Sequence, residues 1–209
     1  MRLALIDYDS GNLHSAAKAF QLMGRDAGAE VIVTSDPEIA ARADRIVLPG
    51  DGAFPACRAA LGEVDGMAEA LREAVLERGI PFMGICVGMQ MLATRGHEYR
   101  ETPGLDWIEG EVEAINAPGL KVPHMGWNDL VIDHPHPVLE GISTGDHAYF
   151  VHGWQFLVAE PRHLLAHVDY GGAVTAVVGR DNIIGTQFHP EKSQRIGLRL
   201  IANFLRWNP

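Results

Sequence analysis

The sequence predicts a doubly wound α/β fold with a mostly parallel sheet and an antiparallel extension. In the first half of the chain, short apolar runs alternate with helical patterns, which is typical of a parallel sheet covered by helices on both faces. From about Trp107 onward, strand patterns follow one another through turns, which is typical of antiparallel pairing. The 209 residues, 47% of them hydrophobic, suit one domain over residues 1–209 with a full core.

The elements of the first half follow from apolar periodicity and from turn residues. Gly24 is expected to end the first helix, and Pro49-Gly50 to stop the third strand. In chain order we predict a strand at 3–7, a helix at 10–23, a strand at 30–34, a short helix opening at Asp36-Pro37, a strand at 45–48, helices at 54–61 and 66–78, and a strand ending at Cys86 with a helix directly after it.

The second half is predicted to be mainly strands. They are expected at 110–116, 130–133, 148–154, 164–170, 173–179 and 183–188, as an antiparallel extension of the sheet. A last helix at 193–207 closes the chain. Its apolar residues recur at helical spacing and are predicted to face the core, namely Ile196, Leu200, Ile201, Phe204 and Leu205.

Charge and composition exclude several classes of function. The formal net charge of −10 makes the chain a poor candidate for binding nucleic acid or an anionic membrane. No apolar run is long enough to span a membrane, and the start is too short for a signal peptide, so a cytoplasmic location is expected. The two cysteines form no disulfide framework, and no metal-ligand spacing appears among the histidines, so we expect no metal and no cofactor.

Cys86 is the first candidate for chemistry. It sits in Gly84-Ile85-Cys86-Val87-Gly88, where an apolar strand ends and a helical pattern begins at once. This is the thiol counterpart of the G-x-S-x-G nucleophile elbow, in which small neighbours allow a strained turn. A cysteine at the start of a helix is also in an environment that favours the reactive thiolate. The alternative is a small buried core residue, which is how we interpret Cys57.

His189 and Glu191 are the candidate partners of Cys86. They are two residues apart at the end of a predicted strand, so both side chains lie on the same face. Glu191 can therefore hold one imidazole nitrogen while the other faces Cys86, as a nucleophile with a base and an orienting group requires. A loop histidine beside a solvated glutamate is the alternative for this pair.

Donors for a developing oxyanion are expected from two places. One is the backbone N–H of Val87, directly after the nucleophile. The other is the loop after the third strand, whose glycines allow backbone amides to point into a site, at Gly50, Asp51 and Gly52.

Taken together, these runs resemble the class I, triad-type glutamine amidotransferases. The resemblance extends from Asp7 to Phe204 and implies a flavodoxin-like sheet. Met89, together with the run Lys121-Val122-Pro123-His124-Met125-Gly126-Trp127-Asn128, resembles the branch that serves histidine biosynthesis. The other runs that carry the resemblance are 7–12, 84–90, 149–152 and 187–193.

The resemblance implies roles for particular residues. It implies a catalytic triad of Cys86, His189 and Glu191. It implies glutamine binding by Gly52 and Gln90, with backbone contacts near His152 and Gly153. It also implies a heterodimer with a (β/α)8-barrel cyclase that receives ammonia through an internal channel, and a contact surface that includes Asn12, Trp127 and Lys192.

The chain departs from the family pattern at two places. Asp51 stands where the family often has an apolar residue, and we expect its carboxylate to point away from the oxyanion. Gly153-Trp154 replaces a small hydroxyl residue followed by tyrosine. Side-chain contacts to glutamine are therefore in doubt there, while backbone contacts are not.

Three other functions compete with this interpretation. A related amidotransferase could serve another acceptor, such as anthranilate or a purine, although Met89 and residues 123–128 argue against it. A γ-glutamyl peptidase or another thiol hydrolase would share the triad but would act without a partner. A non-catalytic binding module is disfavoured by the intact Cys86, His189 and Glu191.

Overall fold

The computed structural model describes residues 1–9 and 11–209. Its strands and helices, in chain order, are β1 (Arg2–Ile6), α1 (Leu13–Ala27), β2 (Glu30–Thr34), α2 (Pro37–Ala41), β3 (Arg45–Gly50), α3 (Phe54–Glu63), α4 (Met67–Arg72, continued by a π-helical turn, Glu73–Glu77), β4 (Phe82–Cys86), α5 (Val87–Gln90), β5 (Arg95–Gly96), β6 (Thr102–Pro103), β7 (Gly110–Ala114), β8 (His124–Asp129), β9 (Val131–Ile132), β10 (His147–His152), β11 (Trp154–Val158), β12 (Leu164–Asp169), β13 (Ala173–Arg180), β14 (Ile183–Thr186) and α6 (Gln194–Arg206).

One eight-stranded sheet organises the chain. Its strand order is β2-β1-β3-β4-β14-β13-β12-β9. From β2 to β14 neighbouring strands are parallel, and from β14 to β9 they are antiparallel. The parallel part has the flavodoxin-like order, in which ligands bind at the carboxyl ends of the strands. The predicted doubly wound class with an antiparallel extension is confirmed.

The extension is smaller than predicted. The strands expected at 110–116 and 148–154 do not join the main sheet, because they form two small sheets of order β10-β8 and β11-β7-β5-β6. Gly153 divides the predicted strand into β10 and β11, and its carbonyl accepts the N–H of Ile115 at 2.9 Å. The strand expected at 183–188 belongs to the parallel part, since β14 lies beside β4.

Gly24 and Pro49 do not end their elements as predicted, and the predicted start of the first helix cannot be compared. The predicted start of α1 at Ser10 lies outside the described residues. The helix continues past Gly24 to Ala27, and Gly28 ends it with a left-handed φ of 64°. Gly24 instead allows the chain after α1 to pack closely against the helix, because a Cβ on Gly24 would lie 3.1 Å from the Ala29 carbonyl oxygen. The third strand is not stopped by Pro49, since β3 pairs with β4 as far as Gly50.

The core lies on both faces of the parallel strands. Every residue of β3, β4 and β14 is buried, as expected for strands covered by helices on both sides. The apolar residues predicted for the last helix are buried in α6, and Phe204 meets Phe20 of α1 edge to face. Among the described residues, no helix has the length and apolar character needed to cross a membrane. The rigid sheet brings the segments after β1, β3, β4 and β14 to one edge.

Candidate active site

Cys86 occupies a strained turn between β4 and α5. Its backbone has φ 54° and ψ −113°, which is rare for a residue other than glycine. The thiol is free and the residue is 5% exposed. The flanking glycines make the turn possible, because a Cβ on Gly84 would lie 2.5 Å from the Gly88 carbonyl oxygen. The backbone at Cys86 therefore forms the strained turn that the sequence predicts, and the close packing of Gly84 against Gly88 requires the small residues.

Replacing Gly88 with alanine is expected to cost at least about 3 kcal/mol of unfolding free energy, because the new Cβ would overlap the Leu48 carbonyl oxygen of β3. Urea denaturation measures the change. Gly62→Ala is the matched control, since Gly62 lies exposed in α3 and the atom nearest to the new Cβ, an Arg58 nitrogen, is 3.8 Å away. That variant should be neutral or stabilised by about 0.5–1 kcal/mol. Equal stability of the two variants would contradict the close approach of β3 and α5.

His189 and Glu191 form a buried pair in the loop after β14. His189 Nδ1 donates to Glu191 Oε1 at 2.9 Å, and the Glu191 side chain is 1% exposed. This arrangement leaves Nε2 as the ring nitrogen available to the Cys86 side. Two hydrogen bonds fix the backbone of His189. Its N–H donates to the Tyr149 carbonyl at 3.3 Å, and its carbonyl accepts from Ser193 Oγ at 2.7 Å.

The electrostatics of the pair favour an imidazolium. Burial alone would lower the pKa of His189, but hydrogen bonds to Cys86 and Glu191, together with their negative charges, raise it to about 10. The imidazolium thus places a cation beside Cys86, and a neighbouring cation is one of the conditions that favour a reactive cysteine. The three side chains that the sequence singled out are therefore brought together in one polar cluster.

Asn12 lies closer to the triad than its expected place on a contact surface suggests. It has a left-handed φ of 65° at the start of α1. Its Nδ2 donates to Glu191 Oε1 at 2.5 Å and lies 3.4 Å from His189 Nδ1. Asparagine tolerates this backbone conformation better than most residues, which lets the loop after β1 reach the carboxylate. The sequence interpretation missed this contact.

The expected oxyanion loop is anchored by two buried donors. Tyr8 Oη donates to the Pro49 carbonyl at 2.5 Å, and Cys57 Sγ donates to the Asp51 carbonyl at 3.4 Å. Burial raises the pKa of Cys57 to about 11, so this thiol stays protonated and can donate. Cys57 is buried, as expected, but it also holds the loop, which the sequence did not indicate.

The other predicted oxyanion residues lie around this loop. Gly50 packs directly against the elbow, because a Cβ there would lie 2.5 Å from the Gly88 nitrogen and 2.9 Å from Val87. Gly52 has a φ of 112°, which requires glycine. The Asp51 side chain is exposed and faces Gly11, where a Cβ would lie 3.0 Å from Asp51 Oδ2.

Gln90, an expected glutamine-binding residue, is tied into the protein through its amide nitrogen. Its Nε2 donates to the Trp154 carbonyl at 3.2 Å and to Gln187 Oε1 at 3.0 Å. Both N–H groups are used in this way, so the polar atom that Gln90 can offer to a ligand is Oε1.

His152 and Gly153, the other expected binding residues, lie beside the same carbonyl. His152 Nδ1 donates to the Trp154 carbonyl at 2.8 Å, and its Nε2 accepts from His124 Nδ1 at 3.0 Å. Burial lowers the pKa of His152 to about 4, so the imidazole is neutral and can accept this bond. His124 and His152 thus connect β8 to the Trp154 carbonyl, which also accepts the hydrogen bond from Gln90.

The remaining expected contact residues lie on the surface around the triad. Lys192 directly follows Glu191 and is exposed. Trp127 is 46% exposed and meets Tyr149 edge to face, with ring centroids 5.6 Å apart. Tyr149 in turn accepts the His189 N–H, so this surface is connected to the triad through one residue.

One cluster outside the site has potential metal ligands. His97, Glu111 and Glu113 place ligand atoms within 4.8 Å of one another. Arg95 donates to Glu111 at 2.6 Å, so a cation already neutralises part of this cluster. Glu111 and Glu113 lie on β7, and His97 directly follows β5.

The fold and the site define a class of protein. The family described as "Glutamine amidotransferase class-I" matches residues 4–207, so the chain belongs to this family. Within it, the chain is similar over its full length to proteins named imidazole glycerol phosphate synthase subunit HisH. It is 66% identical to that of Cereibacter sphaeroides and 64% identical to that of Ruegeria pomeroyi, with 100% of each chain covered. The chain therefore belongs with the HisH subunits of imidazole glycerol phosphate synthase.

Solved structures agree on the fold. The chain matches a structure described as glutamine amidotransferase with a TM-score of 0.73 and 23% identity, covering 97% of both chains. It also matches the glutaminase domain of Trypanosoma brucei CTPS with bound acivicin, with a TM-score of 0.65 and 15% identity, covering 100% of this chain and 95% of that one. At these identities the likeness concerns the fold alone.

Proposed function

We propose that residues 1–209 form a single glutamine amidotransferase domain that hydrolyses glutamine to glutamate and ammonia through a thioester on Cys86. The observation that carries this proposal is the position of His189, which interacts with Cys86 on one side and donates to Glu191 at 2.9 Å on the other. A nucleophile, a base and an orienting carboxylate in this order are the arrangement that activates a nucleophile for acyl transfer.

The first half-reaction forms the thioester. The Cys86 thiolate attacks the side-chain amide carbon of glutamine, and the electrons of the C=O bond move to oxygen. Backbone N–H groups of Val87 and of residues 50–52 stabilise this oxyanion. When the oxyanion collapses, the imidazolium of His189 donates its proton to the amide nitrogen, the C–N bond breaks, and ammonia leaves.

The second half-reaction restores the enzyme. Neutral His189 takes a proton from water, and the resulting hydroxide attacks the thioester carbonyl. The C–S bond breaks, glutamate leaves, and the thiolate and imidazolium are regenerated. Glu191 keeps Nδ1 protonated throughout, so that Nε2 exchanges the proton. Gly52, Gln90 and the backbone near His152 and Gly153 are proposed to hold the substrate.

As a synthase subunit, the chain has a partner subunit. We propose that this partner is a (β/α)8-barrel cyclase in a heterodimer and that ammonia reaches it through an internal channel. The cyclase would form imidazole glycerol phosphate and aminoimidazole carboxamide ribotide in histidine biosynthesis, in the cytoplasm. Support comes from an exposed apolar surface on and before β8, where Met125 is 64% exposed, and from its neighbours Leu120, Val122 and Trp127.

Glutamine hydrolysis should be slow in the lone chain and strongly stimulated by the cyclase with its ligand bound. The physical reason is that loss of one oxyanion donor typically costs about 3 kcal/mol of barrier, so a loop held by Tyr8 and Cys57 can keep the site nearly silent. Co-purification with the cyclase, followed by a glutaminase assay with and without the cyclase ligand, measures this. Full activity of the lone chain would contradict the proposal and would favour a γ-glutamyl hydrolase.

A further inference from the structure

Gln187 is a fully buried polar residue for which the mechanism above has no role. It follows β14 directly, two positions before His189, and its side chain is 0% exposed. Its backbone is fixed by the N–H, which donates to the Ala176 carbonyl of β13 at 2.8 Å. Its side-chain amide makes two contacts, and both are with the site: Nε2 lies 3.6 Å from Cys86 Sγ, and Oε1 lies 3.0 Å from Gln90 Nε2.

The direction of these hydrogen bonds is set by one backbone carbonyl. The Trp154 carbonyl can only accept, so Gln90 must turn its amide nitrogen toward it. The same nitrogen faces Gln187, which must therefore present Oε1 to Gln90. The Gln187 nitrogen is then left to face Cys86. The order of donors and acceptors is thus fixed from Trp154 through Gln90 and Gln187 to the sulfur.

We propose that Gln187 is a positioning residue that donates a hydrogen bond to the Cys86 sulfur and fixes the orientation of Gln90 in the glutamine site. This inference rests on the proposed function, with Cys86 as the nucleophile. Burying an unpaired amide is costly, so a fully buried glutamine directly after an apolar strand needs hydrogen-bond partners. Here both partners belong to the site.

The donor has a consequence for the reaction. A hydrogen bond to the charged form of a group favours that form, so the Gln187 N–H stabilises the Cys86 thiolate. His189 gives its proton to the leaving ammonia, whereas the amide of Gln187 keeps its own throughout. Among the described residues, the titratable groups whose interaction with Cys86 is resolved are His189, in the loop after β14, and Cys57, in α3. Gln187 is a neutral donor beside them.

Two substitutions separate the two contacts. Gln187→Glu keeps an acceptor for Gln90 but replaces the donor with a negative charge beside the sulfur. In the complex with the cyclase we expect kcat to fall about tenfold or more, with KM within about threefold of the parent. Gln187→Met removes both contacts, so KM should rise as well. Alkylation of Cys86 by iodoacetamide, located by peptide mapping, should shift its pH midpoint upward by about one unit in both variants.

Thr186→Val is the matched control at the neighbouring position, because it removes a buried hydrogen bond from Thr186 Oγ1 to the Phe188 carbonyl at 3.0 Å, which does not involve the sulfur. It should leave the alkylation midpoint unchanged. Parental kcat and alkylation midpoint in Gln187→Glu would overturn the inference. Cys86→Ser is assayed alongside, since hydrolysis that survives in that variant would refute the proposed function instead.

Discussion

Replacing Cys86 with alanine is expected to lower kcat for glutamine hydrolysis by about four orders of magnitude or more in the complex with the cyclase. The thioester cannot form without the sulfur, and the other groups of the site act on a thioester or on the attack that forms it. Synthesis supported by added ammonia should be retained, because the cyclase does not use Cys86 in that assay. The measurement is glutamate release beside ammonia-dependent product formation in the same preparation.

The same variant has a second readout in the histidine that remains. Burial lowers the pKa of His189, while the hydrogen bond and charge of Cys86 raise it. Without Cys86, the pKa of His189 should therefore fall from its value of about 10. Nitrogen-15 NMR of the imidazole follows the titration. Glutamine hydrolysis at the parent rate in Cys86→Ala would refute the mechanism, and an unchanged His189 pKa would refute the coupling of the two side chains.

The parallel half of the fold was predictable because each of its strands carries its own signal. β3, β4 and β14 are short apolar runs buried on both faces, and β1 and β2 are short apolar runs on either side of the first helical pattern. β2 was predicted with its observed bounds, Glu30–Thr34. Pro49 was misleading, because it reads as a strand terminator but lies in a strand that continues to Gly50.

The second half was harder because strand pairing there is decided by distant contacts. Every second residue of β8 is exposed, and its apolar side chains at Met125 and Trp127 are among the exposed ones, so the run has no core pattern of its own. Its partner β10 begins 18 positions after β8 ends, at His147. No pattern within either strand indicates that β8 and β10 pair in a separate small sheet.

The sequence predicted which residues form the candidate site, but it did not predict the hydrogen bonds that connect them to the rest of the chain. The spacing of His189 and Glu191 and the glycines around Cys86 are local patterns, and the structure brings these residues together. Their catalytic roles stay predictions. The contacts of Gln187 and Tyr8 join segments about one hundred and about forty residues apart. The available signal was a glutamine directly after an apolar strand, a polar group that burial obliges to find partners.

Asn12 combines a predicted place on the contact surface with an observed hydrogen bond to the triad carboxylate. The family resemblance implies a position on the contact surface with the cyclase, and the structure places its amide on Glu191 at 2.5 Å. The two are compatible because the loop after β1 is at the same edge of the sheet as the triad. A partner that moves this loop would change a hydrogen bond to the triad carboxylate directly.

Replacing Glu191 with glutamine is expected to lower kcat by about two to four orders of magnitude in the complex, with little change in KM. The carboxylate accepts from both His189 and Asn12, and its charge helps to raise the pKa of His189. A neutral amide removes that charge and can present an N–H to Nδ1, which favours the wrong tautomer. The pKa of His189 should therefore fall, as measured by nitrogen-15 NMR.

The described residues offer a matched control for this substitution at a second close glutamate–histidine contact. Glu111 Oε2 lies 2.7 Å from His97 Nε2 on the small sheet of β5 and β7, away from the triad. Glu111→Gln makes the same chemical change there, so it should leave kcat and the His189 titration at their parental values. If the two variants lost activity to the same degree, the effect would arise from general destabilisation. A parental kcat in Glu191→Gln would exclude the carboxylate from the mechanism, since hydrolysis would then need only the sulfur and the imidazole.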